Sequence, residues 1–120
     1  MILKYTDSNG IEQIVQDYGS VNTYTQISYG TTVTAEVSYT DGYHITDSSG
    51  DPLQKTSYQW YADDGKDSTT DDISNKTNEF VVPLENQAGS YSGKKIYCVV
   101  TNEYNGSIST TTSPKFTIGI

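Results

Sequence analysis

Residues 94–102 read Lys94-Lys95-Ile96-Tyr97-Cys98-Val99-Val100-Thr101-Asn102, and the fold turns on how this stretch is read. Ile96, Cys98 and Val100 alternate with Tyr97, Val99 and Thr101. That period of two is the pattern of a strand with one face in a core. Cys98 is the only cysteine of the chain, so it has no internal disulfide partner. Its place among inward residues makes it a small buried hydrophobe and not a nucleophile.

Working outward, the same alternation recurs. Asn105-Gly106 turns the strand, and Ser107 to Thr112 returns. Upstream, Tyr58, Trp60 and Ala62 share one face of a strand over Thr56 to Ala62. Val33, Ala35, Val37 and Tyr39 share one face of Thr32 to Tyr39. Phe80 and Val82 point inward from Glu79 to Val82, which Pro83 ends. Further strands are expected at Ile2 to Thr6, Ile11 to Gln16, Thr23 to Tyr29, Ile73 and Phe116 to Ile118, with a hairpin turn at Asn9-Gly10. Residues 40–55 carry Asp-Gly, Ser-Gly and Asp-Pro signals and read as a long loop. No amphipathic helix of convincing length and no internal repeat is visible. The predicted core comprises Val33, Ala35, Val37, Tyr58, Trp60, Phe80, Val82, Ile96, Cys98 and Val100.

The bulk numbers agree with one all-β domain. The chain has 120 residues, 33% of them hydrophobic, with 11 tyrosines. Thr, Tyr, Val and Ile suit a pleated, half-buried surface. The formal net charge is −8, and all seven cationic side chains are lysines. Such a balance argues against nucleic acid, whose phosphates need cations to displace their counterions. No apolar run approaches the roughly 20 residues of a membrane helix, so no membrane insertion is expected. Met1-Ile2-Leu3 runs directly into polar sequence without a leader, which reads as a segment taken from a longer chain.

Trp60 and Cys98, with the Tyr58-Gln59-Trp60-Tyr61 stretch, Phe80-Val81-Val82-Pro83 and Ile96-Tyr97-Cys98-Val99-Val100 in order, resemble strands C, E and F of an immunoglobulin-like domain. The resemblance is strongest to the Ig-like modules of bacterial surface and secreted proteins, and covers roughly residues 22–118. It implies an Ig-like β-sandwich of two antiparallel sheets without the inter-sheet disulfide. Trp60 is then the core tryptophan and Cys98 the strand-F cysteine. The strand-B cysteine is missing, its place falling at Val37 or Ala35. Ile96 stands where a tyrosine two before the cysteine is expected. The predicted division is an N-terminal extension or added hairpin over 1–21 and the Ig-like domain over 22–120.

Catalysis finds little support. His44, the only histidine, lies in the long loop, and a Cys98–His44 pair would need the sulfur to leave the core. The acidic stretch Asp63-Asp64-Gly65-Lys66-Asp67 through Asp71-Asp72 offers hard oxygen ligands for Ca²⁺, but it departs from the EF-hand spacing and reads as a solvated turn. Asp41, Asp47 and Asp51 read the same way. One His and one Cys cannot build a zinc site. Lys4 and Asn102 could stand as ends of a Lys–Asn isopeptide bond, but the Ig-like resemblance is of a different kind; Asn75-Lys76-Thr77 and Asn105-Gly106-Ser107 are formal glycosylation sequons, which carry little weight in so Ser/Thr-rich a chain. The expectation is therefore no enzyme, no cofactor and no metal. The chain reads as a monomeric spacer or adhesion module, extracellular and attached to neighbouring domains of the same chain. The alternative is recognition of a glycan or host protein through Tyr43, Tyr61, Tyr97, Tyr104 and the 40–55 loop.

Overall fold

The computed structural model describes residues 1–16, 23–37, 46–63, 70–73, 75–91 and 93–119. Within them the chain forms ten strands: β1 (Ile2–Thr6), β2 (Glu12–Ile14), β3 (Thr25–Ile27), β4 (Thr32–Glu36), β5 (Lys55–Asp63), β6 (Thr70–Asp72), β7 (Glu79–Val81), β8 (Lys95–Tyr104), β9 (Ser107–Thr112) and β10 (Phe116–Ile118). Two short 3₁₀ turns, Glu85–Gln87 and Gly89–Tyr91, precede β8. The protein is all-β, built from two packed sheets.

Sheet one has the order β2-β1-β4-β7, all antiparallel. Sheet two runs β3-β10-β8-β5-β6, with β9 also on β8. The sequence pattern leads to antiparallel sheets throughout, but β3 pairs parallel to β10, Phe116 opposite Thr25 and Ile118 opposite Ile27. The chain places β1 and β2 in sheet one, crosses to sheet two for β3, and returns for β4. That crossing brings β3 alongside β10 in the same direction.

The longest pairing joins β5 to β8 over nine residue pairs, with Trp60 opposite Cys98 and Ala62 opposite Ile96. Inward residues of both sheets meet in one core: Leu3, Val33, Ala35 and Phe80 from sheet one, and Ile27, Trp60, Ala62, Ile96, Cys98 and Phe116 from sheet two. Val82 and Val100 are also fully buried. Trp60 and Phe80 bridge the layers with ring centroids 5.4 Å apart, and Phe80 also meets Phe116 edge-on at 6.2 Å. The indole N–H donates to the Thr77 carbonyl at 2.8 Å, so its one polar atom is satisfied.

Two expected core positions stand at the margin. Val37 is half-buried rather than enclosed, because β4 ends at Glu36 and Val37 leaves the sheet. Tyr58 is half-buried and packs against the core without being enclosed by it. The alternation signal did not single out Leu3, Val15, Ile27, Phe116 or Ile118, all of which are buried. The N-terminal hairpin packs on the sandwich: β1 lies between β2 and β4, and the hairpin contributes Leu3 and Val15 to the core.

A register change near β10 positions the outer face of sheet two. Val99 opposes Thr112 and Ile96 opposes Phe116. Three residues, 113–115, therefore face two, 97 and 98, which is a β-bulge. Pro114 has no N–H to give. The Ser113 N–H donates to the Cys98 carbonyl at 2.9 Å, and its hydroxyl accepts the Cys98 N–H at 2.9 Å while donating to the Pro114 carbonyl. The bulge turns Phe116 into the core and Lys115 outward.

Candidate functional site

The outward positions of β5 and β8 put Tyr61 directly opposite Tyr97. Their rings stack with centroids 5.5 Å apart and planes 25° apart. Lys115, delivered by the bulge, holds its ammonium 5.0 Å above the Tyr97 ring and 2.9 Å from Asp63 Oδ2. On the other side, Lys95 sits 5.6 Å from the Tyr24 ring, Tyr24 lying just ahead of β3. Lys76 reaches the margin by donating to Gln59 Oε1 at 2.7 Å. The result is a continuous strip across sheet two, in which Tyr24, Lys115, Tyr97 and Tyr61 are half-buried side by side. A stacked aromatic pair of this kind contributes about 0.5–1.5 kcal/mol beyond its burial, and each partly exposed cation–π contact about 0.5–1 kcal/mol.

Tyr104, expected on the same surface, is not part of the strip. It lies seven residues along β8 from Tyr97, about 23 Å at a strand's rise per residue. There it lines an open cleft of about 490 Å³ with Leu53, Lys55, Glu103 and Asn105. Tyr43 and His44 lie outside the described residues. Lys95, Lys115, Lys76 and Tyr24 escaped the sequence reading. The outward parity of Lys95 on β8 was a usable signal; the orientation of Lys115 depends on the bulge and had none.

The other expected groups have structural partners. Asp47 Oδ1 accepts the N–H groups of Ser49 and Asp51, closing the turn inside the Thr46–Pro52 bridge. Asn75 Oδ1 accepts the N–H and hydroxyl of Thr77, and its amide donates to the Glu79 carbonyl, which folds that sequon into a turn. Lys4 lies on sheet one, its ammonium 2.8 Å from Glu36 and 3.4 Å from Glu12. Those carboxylates raise its pKa, Glu36 foremost. Asn102 is buried in sheet two and accepts the Thr56 hydroxyl at 2.6 Å, so Lys4 and Asn102 belong to different layers. Asp64 and Asp67 lie outside the described residues. Among the described residues, no group of three or more His, Cys, Asp or Glu side chains stands close enough to hold a metal ion.

Cys98 is fully buried. Burial pushes its thiol up to about 11, against a smaller opposing effect of a backbone hydrogen bond from Gln59. At neutral pH it is a thiol without thiolate character, and nucleophilic chemistry at Cys98 has no starting point. Burial also raises the neighbouring Tyr58 hydroxyl, with the charge of an ionised Cys98 as second cause.

In comparisons with known proteins, no family model matches the chain, and neither a curated protein nor a solved structure does. Among the described residues, no helix is long and apolar enough to cross a membrane.

Proposed function

We propose that this chain is a non-catalytic Ig-like module of a longer bacterial surface or secreted protein, and that it serves as a spacer. Support comes from the arrangement of the pairing. Trp60 on β5 stands opposite Cys98 on β8 at the centre of the sandwich. Two layers, β2-β1-β4-β7 and β3-β10-β8-β5-β6 with β9 on β8, close over one core, which supports a sandwich reading.

The observation that carries the spacer role is where the outer strands lead. β1 begins beside the end of β4, with Ile2 opposite Glu36. β10 ends beside Ile27, one turn before β4 starts, and the Gly119 N–H donates to the Ile27 carbonyl. The chain therefore enters at one end of the sandwich and leaves at the other. A pull on both ends loads β1 against β4 and β10 against β3 along the strands, so their hydrogen bonds share the load in shear.

Single-molecule stretching of the protein through its two ends tests this reading. A spacer gives one cooperative rupture, followed by a contour gain of roughly 3.6 Å per unfolded residue. Gradual extension at low force, with no discrete rupture, would overturn the spacer role.

A further inference from the structure

We propose that the outer face of β5, β8 and β10 binds a saccharide bearing sugar carboxylates, its rings lying on the Tyr61–Tyr97 pair and its carboxylates on Lys95 and Lys115. This goes beyond the spacer reading and does not depend on it, since a stretched module keeps its outer face whether or not a glycan lies there.

Charge is the first argument. The protein carries a net −8, with seven lysines in 120 residues. Lys95 and Lys115 nevertheless converge on this one strip, and Lys76 stands at its margin, while Asp63 is the carboxylate paired there. Asp63 neutralises one ammonium and Asp72 of β6 lies opposite Tyr61, so three lysines stand against two carboxylates, a local excess of positive charge in an otherwise acidic molecule. The ammonium groups are held over tyrosine rings, so little freedom remains to lose when a carboxylate arrives.

Shape is the second argument. The Tyr61 and Tyr97 rings are fixed by each other and by Lys115, and present aromatic surface at low entropic cost. Their phenolic groups can exchange hydrogen bonds with sugar hydroxyls. The strip is an open sheet face rather than an enclosed pocket, and it runs across several strands, which suits an extended chain of sugar rings. A phosphate polymer is disfavoured, because its dense charge meets the repulsion of the whole acidic molecule and finds no guanidinium fork.

The test is a nitrogen–proton NMR titration of the intact protein with a hyaluronan octasaccharide, which alternates uronate with an N-acetylated neutral sugar. A chitin octasaccharide serves as the neutral counterpart and a thymidine oligonucleotide as the phosphate counterpart. The expected result is that amide shifts centre on Tyr61, Lys95, Tyr97 and Lys115 with hyaluronan and are weaker or absent with the other two. Lys95→Gln and Lys115→Gln should each weaken binding about two- to five-fold, as for an exposed charge pair. Lys4→Gln, on the opposite sheet, should leave it unchanged. No shifts with hyaluronan, shifts centred on the Leu53–Tyr104 cleft, equal binding of chitin, or tighter binding of the oligonucleotide would each overturn the proposal. Unchanged spectra of the variants away from the strip confirm that they remain folded.

Discussion

Cys98 shows how much a single residue's surroundings decide. The same side chain on the exposed face of β8 would be a titrating thiol; inside, it is packing. Its folded-state pKa of about 11 lies above the ordinary 9.0. Above pH 9 the unfolded chain releases the thiol proton and the native chain keeps it, so the native state binds more protons and stability falls as pH rises. The contribution is intact below pH 9 and lost progressively towards pH 11, amounting to about 2–3 kcal/mol at ~1.4 kcal/mol per unit. Denaturant melts from pH 8 to 11, compared with Cys98→Val, should show this loss in the natural protein and a smaller one in the variant. Tyr58 is shifted upward as well and adds a loss of the same sign in both proteins. An aromatic disulfide reagent at pH 8 should label Cys98 only as fast as the protein unfolds. The alternation Ile96-Cys98-Val100 was enough to predict this burial, because which face a strand residue occupies is a local property.

Among the elements, the bulge at residues 113–115 has the largest consequence for so short a segment. Pro114 breaks the ladder where β9 hands over to β10, and the Ser113 hydroxyl supplies the acceptor that the Cys98 N–H needs. Ser113→Ala should leave that N–H buried and unpaired, costing about 1–3 kcal/mol, measurable as a shifted urea midpoint with an unchanged slope. Ser113→Thr, which keeps the hydroxyl, should cost less. The strands themselves were legible: Ile2–Thr6, Ser107–Thr112 and Phe116–Ile118 fall where the pattern places them, β5 extends past it by one residue at each end, and β8 runs on to Tyr104 at its C-terminal end. The strand expected at Ile73 instead covers Thr70–Asp72. The one-residue slip between β9 and β10 was not legible. It is defined only against β8, and nothing within Ser113-Pro114-Lys115 states which partner residue lies opposite.

For the molecule as a whole, the core is shared between the N-terminal hairpin and the rest. Leu3 is fully buried, and β1 covers one side of β4. Removing residues 1–21 should expose that side and the core beneath it, so the remaining chain should lack a cooperative thermal transition by calorimetry. Leu3→Ala tests the same point more gently and should cost about 2–5 kcal/mol. A net charge of −8 makes the compact state repel itself, and salt screens that repulsion within about 10 Å at 0.1 M. Raising NaCl from 10 to 200 mM should therefore raise the melting temperature; a fall would show that local ion pairs such as Lys115–Asp63 outweigh the net charge. Of the candidate site, Tyr61 and Tyr97 were readable as outward neighbours on two strands and Lys95 by the same parity, whereas Tyr104's separation from them and the arrival of Lys115 and Tyr24 were not. By itself the sequence determined the all-β class and which face β4, β5, β7 and β8 bury, because side-chain alternation acts over a few residues. Only the tertiary structure decided the parallel β3–β10 pairing, the place of the N-terminal hairpin and the lysine–tyrosine strip. Each of these depends on which distant strands lie side by side and in what register, and that is settled by closing one core over Trp60.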